Sequence, residues 1–147
     1  MNPAECLFCK IARGEIPSSK VHDDHDVMAF LDINPANPGH VLVVQKKHAT
    51  DITTADEKDL EKTIAVVKKI ALKQKEKLNA EGVNVIQNNG HAAGQLVAHI
   101  HFHVIPRYAG DGVMIKYPRA SVSGEEMEEI RKKLSEEPAR KDFELDF

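Results

Sequence analysis

The chain has 147 residues, 41% hydrophobic and 29% charged, with a formal net charge of −3, which suits one globular domain around one core. With no basic block it excludes a surface built to grip a nucleic-acid backbone, though not a site for one small nucleotide. No apolar run approaches the roughly 18 residues of a membrane span, and Glu5, Cys6 and Cys9 stand where a signal peptide needs a basic start and an apolar stretch. The expected compartment is the cytoplasm, where two cysteines serve as ligands or free thiols more often than as a disulfide.

In chain order, Met1–Ala12 carries Cys6-Leu7-Phe8-Cys9 and reads as a turn entering a short helix. Gly14–Ser19 is a loop. Lys20–Asp23 reads as a short strand, Asp24-His25-Asp26 as a turn and Val27–Leu31 as a second strand. Asn34–Gly39, with two prolines, is a break. His40–Gln45 is β-branched and apolar, the pattern of a buried strand. Thr53 or Thr54 is expected to cap a helix from about Ala55 to about Leu78, with Asp56 and Glu57 in its first turn. Leu60, Ile64, Val67 and Ala71 fall on its apolar face and its lysines on the wet one. Gly82–Gln87 is another strand, and Asn88–Gly94 is a polar, glycine-bearing loop into the strand His99–Ile105, which Pro106 is expected to end. Ser123 and Glu126 form a capping box for a helix over Gly124–Ser135. Pro138–Phe147 shows no core pattern, and there is no internal repeat. Hairpin-length connections favour an antiparallel sheet, so the class is α+β, with one long helix and a C-terminal helix.

The most informative run is His99-Ile100-His101-Phe102-His103-Val104-Ile105. Strand side chains alternate, so the three histidines share one face and Ile100, Phe102 and Val104 the other. Imidazole titrates nearest neutrality and is the commonest metal ligand. One such residue is ordinarily structural. Three in strict alternation must each be solvated, hydrogen-bonded or metal-bound, and read as an assembled site.

Cys6-x-x-Cys9 is half of a zinc site. Zinc takes four ligands in a tetrahedron and the chain has no further cysteine, so two histidines would complete it. His48, just past a buried strand, and His99 are the best placed of the eight. The bland alternative is a pair of ordinary thiols. A redox pair is disfavoured because no βαβ pattern surrounds it.

The run from His99 to Ile105 resembles the signature of the histidine triad family, His-φ-His-φ-His-φ-φ with φ apolar. Phe8-Cys9-Lys10-Ile11, Gly14-Glu15-Ile16-Pro17, Phe30-Leu31-Asp32-Ile33-Asn34-Pro35, Gly39-His40-Val41-Leu42-Val43-Val44 and Lys46-Lys47-His48 resemble it in the same order. So do Asn88-Asn89-Gly90, Ala93-Gly94-Gln95 and Ile105-Pro106-Arg107-Tyr108. The resemblance covers residues 5–108 and is closest to the nucleoside-phosphoramidase, histidine triad nucleotide-binding branch. Residues 109–147 read as a C-terminal extension of one domain spanning 1–147.

The resemblance implies a five-stranded antiparallel sheet with a long helix, a homodimer, and a purine nucleotide (AMP-like) substrate attacked by histidine at its α-phosphate. By position it makes His101 the nucleophile, puts His103 on a phosphate oxygen and Gln95 near the scissile bridge, and sets His40 behind the triad. Gly94 lets the backbone approach the phosphate. Asp32 belongs to the ribose hydroxyls and Asn88 to the sugar or phosphate. Leu7, Phe8, Ile11, Phe30, Leu31 and Ile33 shape the base pocket. Zinc-bearing members imply structural Zn2+ on Cys6, Cys9, His48 and His99. The implied reaction is hydrolysis of nucleoside 5′-phosphoramidates, adenylylated amines or short dinucleoside polyphosphates through a nucleotidyl-histidine intermediate.

Leu96 departs from the family pattern. It stands where a Ser or Thr often helps bind phosphate or protonate the leaving group, and Ala98 replaces a larger residue seen in many members. Leu96 motivates an alternative reading, a nucleotide-binding regulatory protein with little catalysis. A nucleotidyl transferase is a further alternative. It ranks low, because Ile100 stands where the galactose-1-phosphate uridylyl transferases have Pro.

Overall fold

The computed structural model describes residues 2–136. Its elements are α1 (Leu7–Ala12), β1 (Lys20–Asp23), β2 (Val27–Leu31), β3 (Val41–Gln45), α2 (Glu57–Lys77), β4 (Gly82–Ile86), a 3₁₀ turn (His91–Ala93), β5 (His101–Arg107) and α3 (Gly124–Ser135). They fall into two compact units, one ending at Val113 and one beginning at Met114. The first holds a five-stranded sheet of order β1-β2-β3-β5-β4 in which every neighbouring pair is antiparallel. The expected α+β class with one long helix is what forms.

Alternation along the strands builds two cores. Val27, Ala29, Val41, Val43, Phe102 and Val104 pack with Val66, Val67 and Ile70 of α2. On the other face Met28, Phe30, Leu42 and Val44 pack with Phe8, Cys9 and Ile11 of α1. Both faces of β3 are therefore covered, and all five of its residues are buried. Ile100, Phe102 and Val104 join the α2 side as their spacing predicts.

α1 is capped by Cys6, whose Sγ accepts from the Cys9 N–H. α2 begins at Glu57, two residues later than expected, and its N-cap is Asp56 rather than a threonine. Thr53 is held one turn upstream, where its N–H and hydroxyl both donate to Asp51 Oδ1 at 2.8 and 2.6 Å. The stripe that α2 buries is Thr63, Val66, Val67, Ile70 and Gln74. Leu60 and Ala71 only flank it, and Ile64 is 50% exposed. Apolarity alone misplaced the stripe because two of its members are polar and find partners. The Thr63 hydroxyl donates to the Asp59 carbonyl at 2.7 Å. Gln74 Nε2 donates to the carbonyls of Gly39 and Val104, each at 2.9 Å.

β5 also departs from expectation. His99 and Ile100 precede it, with the Ile100 N–H donating to the Ala49 carbonyl at 2.8 Å. Pro106 does not end it. β3 pairs with β5 only from Val44↔His101 to Val41↔Val104, so beyond Val104 the strand pairs with β4 alone. An edge tolerates a residue without an N–H, and the Pro106 carbonyl accepts from Asn37 Nδ2 at 2.9 Å.

In the second unit, α3 spans the expected residues. Ser123 Oγ accepts from the Glu126 N–H at 3.2 Å, and no residue of the helix is buried. The reading of Pro138–Phe147 lies outside the described residues. Among the described residues no helix is long and apolar enough to cross a membrane.

Candidate active site and metal centre

A cavity of about 570 Å³ opens on the α1 side of the sheet. Leu7, Phe8 and Ile11 of α1 form part of its wall, and Phe30, Leu31, Asp32 and Ile33 at the end of β2 form another. His40, His101 and His103 face into it, with Asn88 and Gly94 on the loop between β4 and β5. Twelve of the residues named from sequence thus converge. Ile16, Pro17, Ser18, Ser19, Asn34, Leu42, Leu96 and Val97 also line the cavity. Ile16 and Pro17 lie in a run that resembles the family, but no role followed from it, and only the place of Ile16 to Ser19 along the cavity wall reveals one.

Hydrogen bonds fix the imidazoles. His101 Nδ1 lies 2.7 Å from the His99 carbonyl, which can only accept, so Nδ1 carries the proton and Nε2 keeps its lone pair. His101 is 7% exposed, and burial holds its pKa below the ordinary imidazole value, with Asp32 pulling the other way. The edge of Phe8 packs against it, ring centroids 5.0 Å apart.

His40 Nδ1 accepts from the Ala36 N–H at 3.0 Å, which puts the His40 proton on Nε2. His40 Nε2 lies 3.0 Å from His103 Nδ1 and donates to it. His103 must then carry its own proton on Nε2. Asp32 Oδ2 sits 3.6 Å from His40 Nε2. Burial, then the neighbouring His101 and His40, push the His103 pKa down to about 4, against the pull of Asp32. Asp32, His40 and His103 are close enough together to be metal ligands. The proton on His40 Nε2 occupies the lone pair a metal would need, so the group is a proton-bearing network.

Gln95 is the sequence-named residue that the structure does not bring into the cavity. Its Nε2 donates to the carbonyls of Thr50 and Val97 at 2.6 and 3.0 Å, and its Oε1 accepts from the Gly90 N–H at 2.7 Å. The side chain braces its own loop and ties it to the segment after β3. Gly94 sits in the left-handed region at φ 87°, a conformation that glycine adopts without steric cost. Leu96 is 91% exposed.

The second cluster lies behind the first. Cys6, Cys9, His48 and His99 bring one donor atom each within 4.8 Å of one another. Cys6 Sγ is 3.3 Å and Cys9 Sγ 3.5 Å from His99 Nδ1, Cys9 Sγ is 3.4 Å from His48 Nδ1, and the two Nδ1 atoms are 3.2 Å apart. A zinc tetrahedron with ordinary bond lengths has S···N edges of about 3.6 Å and N···N edges of about 3.3 Å, so the residues fit the ion. His99 Nε2 donates to the Gln45 carbonyl at 2.7 Å, which leaves Nδ1 free to ligate. Without a cation the site is costly to charge. Burial and the nearby Cys6 push the Cys9 thiol up to about 11, and burial pushes His99 down to about 4.

The HIT domain family model matches residues 13–110. The chain is 37% identical over 146 residues to adenosine 5′-monophosphoramidase HNT1 of Candida albicans, covering 96% of each chain. A HIT family protein from Bacillus anthracis shares the fold at a TM-score of 0.82 and 38% identity, over 88% of this chain and 94% of that one. A zinc-bound histidine triad family protein from Mycobacterium smegmatis does so at 0.74 and 36%, over 81% and 86%. With the domain match spanning the sheet and its run of alternating histidines, the chain belongs to the HIT family.

Proposed function

We propose that this protein is a hydrolase of purine nucleoside 5′-phosphoramidates and adenylylated amines, extending to short dinucleoside polyphosphates. The observation that carries the reading is His101, whose Nδ1–H is held by the His99 carbonyl so that a bare Nε2 faces the cavity. The similarity to an adenosine 5′-monophosphoramidase supports the substrate class.

The base occupies the apolar wall of Phe8, Ile11 and Phe30, and the ribose hydroxyls meet Asp32. His101 Nε2 attacks the α-phosphorus. The P–N bond breaks, its electron pair leaves with the amine nitrogen, and that nitrogen takes a proton from water. The imidazolium charge on the nucleotidyl-histidine is stabilised by the Nδ1–H bond to the His99 carbonyl. Water then adds to phosphorus, the bond to Nε2 breaks, and the proton borrowed in the first half is returned. His103 Nε2–H donates to a phosphoryl oxygen, oriented from behind by His40. A preorganised donor of this kind contributes on the order of 3 kcal/mol to the barrier.

Cys6, Cys9, His48 and His99 would hold Zn2+ in a closed four-ligand site, which would tie the start of α1 to His99, two residues ahead of β5, and supply no reacting group. The assembly we propose is a homodimer; β4, which ends the sheet and leaves Val85 47% exposed, is consistent with an unpartnered edge.

Single-turnover labelling with adenosine 5′-phosphoramidate carrying a labelled phosphate tests the reading. Label should appear on His101. Steady-state turnover should fall by on the order of a thousandfold or more in His101→Ala, with AMP affinity retained within several-fold. Undiminished turnover in that variant would sink the assignment. Tight nucleotide binding by the wild type without label or turnover would favour the regulatory reading, which Leu96 and the tied-back Gln95 motivate.

A further inference from the structure

A second cavity, of about 450 Å³, lies on the α2 side of the sheet, the face turned away from the histidines. Its wall is Val21 of β1, Leu31 of β2, Pro38, Val41 of β3, Ile70 of α2 and Leu78 at the C-cap of that helix. Packing makes these one surface. Leu31 pairs with Val41 across the sheet, and Val41 shares a core with Ile70. Leu78 Cδ1 fills the space where a Cβ on Gly39 would stand, so the end of α2 comes down onto the turn before β3. Val21, Leu31 and Leu78 keep 40%, 39% and 42% exposure. One side chain so exposed is ordinary. Three along one cavity form an apolar patch of the kind that marks a binding surface. A dimer formed through β4 leaves this groove open, because β1 and β4 are opposite ends of the sheet.

The polar side chains in the lining are Lys73, Gln74 and Lys77. Gln74 Nε2 is spent on the carbonyls of Gly39 and Val104, and its Oε1 is shut off from solvent, so the amide offers the groove nothing. No acidic residue lines the groove. Lys73 and Lys77 stand one turn apart on α2, and neither is ion-paired among the described residues. Lys77 belongs to the last turn, where a cation complements the helix dipole. Lys73, a turn earlier, has no such role.

These walls choose the occupant. A peptide lying here would leave backbone N–H and C=O groups without partners, and each such group is costly to bury. An unbranched hydrocarbon has no polar group to strand, and an anion at its end meets two ammonium groups. We propose that the groove binds a long-chain fatty acid, with the alkyl chain along Val21, Leu31, Pro38 and Leu78 and the carboxylate at Lys73 and Lys77. The site does not depend on the hydrolase reading.

Isothermal titration of the intact protein with octanoate, decanoate, dodecanoate and decanol, each below its micelle concentration, tests the site. The proteins compared are wild type, the double variant Lys73→Gln/Lys77→Gln, and Val21→Asp. All three positions are exposed, so none of the changes removes a core side chain. Wild type should bind decanoate at one site, and each added methylene from octanoate to dodecanoate should tighten binding about fourfold. Loss of both lysines should weaken decanoate on the order of tenfold and leave decanol unchanged. Val21→Asp sets a carboxylate in the groove and should abolish binding of all four compounds. Absence of saturable dodecanoate binding by wild type overturns the site. Binding that survives Val21→Asp lies elsewhere on the molecule and overturns it too. A double variant that binds decanoate as wild type does, or loses decanol equally, overturns the fatty acid as occupant.

Discussion

At the scale of single residues, the site is governed by where protons sit. The Ala36 N–H determines the His40 tautomer, His40 determines that of His103, and the His99 carbonyl determines that of His101. Burial keeps these rings neutral below the usual imidazole range, and this has a consequence for stability. His103 in the fold binds a proton only near pH 4, facing His40 and His101, with Asp32 as the one opposing charge. The unfolded chain binds one at the ordinary value of 6.5. Between these values the unfolded state carries more protons, so stability falls as pH drops through that window. Thermal melts of wild type and His103→Gln at about pH 7.5 and about pH 5 measure it. The wild type should lose more of its melting temperature on acidification than the variant. Equal losses would mean that His103 is not a source of the acid sensitivity.

At the scale of elements, α2 shows how a facing sheet chooses a helix's buried side. The stripe centred on Val66, Val67 and Ile70 meets the valines of β2 and β3, with Thr63 and Gln74 completing it because the Thr63 hydroxyl is bonded within the helix and Gln74 Nε2 to two neighbouring carbonyls. Ile64, apolar and well spaced by sequence, points outward. Ile70→Ala should therefore cost about 2–5 kcal/mol in urea denaturation. Ile64→Ala should change stability by no more than about 0.5 kcal/mol. Similar costs for the two would refute this orientation of the helix.

At the scale of the whole molecule, the Cys6–Cys9–His48–His99 cluster joins the N-terminal helix, the segment after β3 and His99, two residues ahead of β5. These parts are far apart in sequence, and their junction sits directly behind His101. The cluster should carry about one equivalent of zinc in protein purified without added metal, measured by elemental analysis. Chelation should lower the melting temperature by on the order of 10 °C. Less than about a tenth of an equivalent with both thiols intact would count against the metal.

The sequence by itself determined the periodicities. The alternation of His99 to Val104, the β-branched run from Val41, the Ser123–Glu126 cap and the Cys6–Cys9 spacing are local patterns, and local backbone geometry dictates which face each residue takes. It carried much of the candidate site as well, because the cavity residues sit in short runs that the chain holds together. Tertiary structure decided what depends on partners distant in the chain. It turned Gln95 onto backbone groups of its own loop and of the segment after β3, which satisfy its amide better than an open cavity. It shifted the buried stripe of α2 onto two polar residues, and it carried β5 through Pro106 where only one neighbour needs an N–H. It also left Leu96 bare on the cavity wall. A side chain's exposure is set by what the rest of the fold brings near it, and no local pattern encodes that.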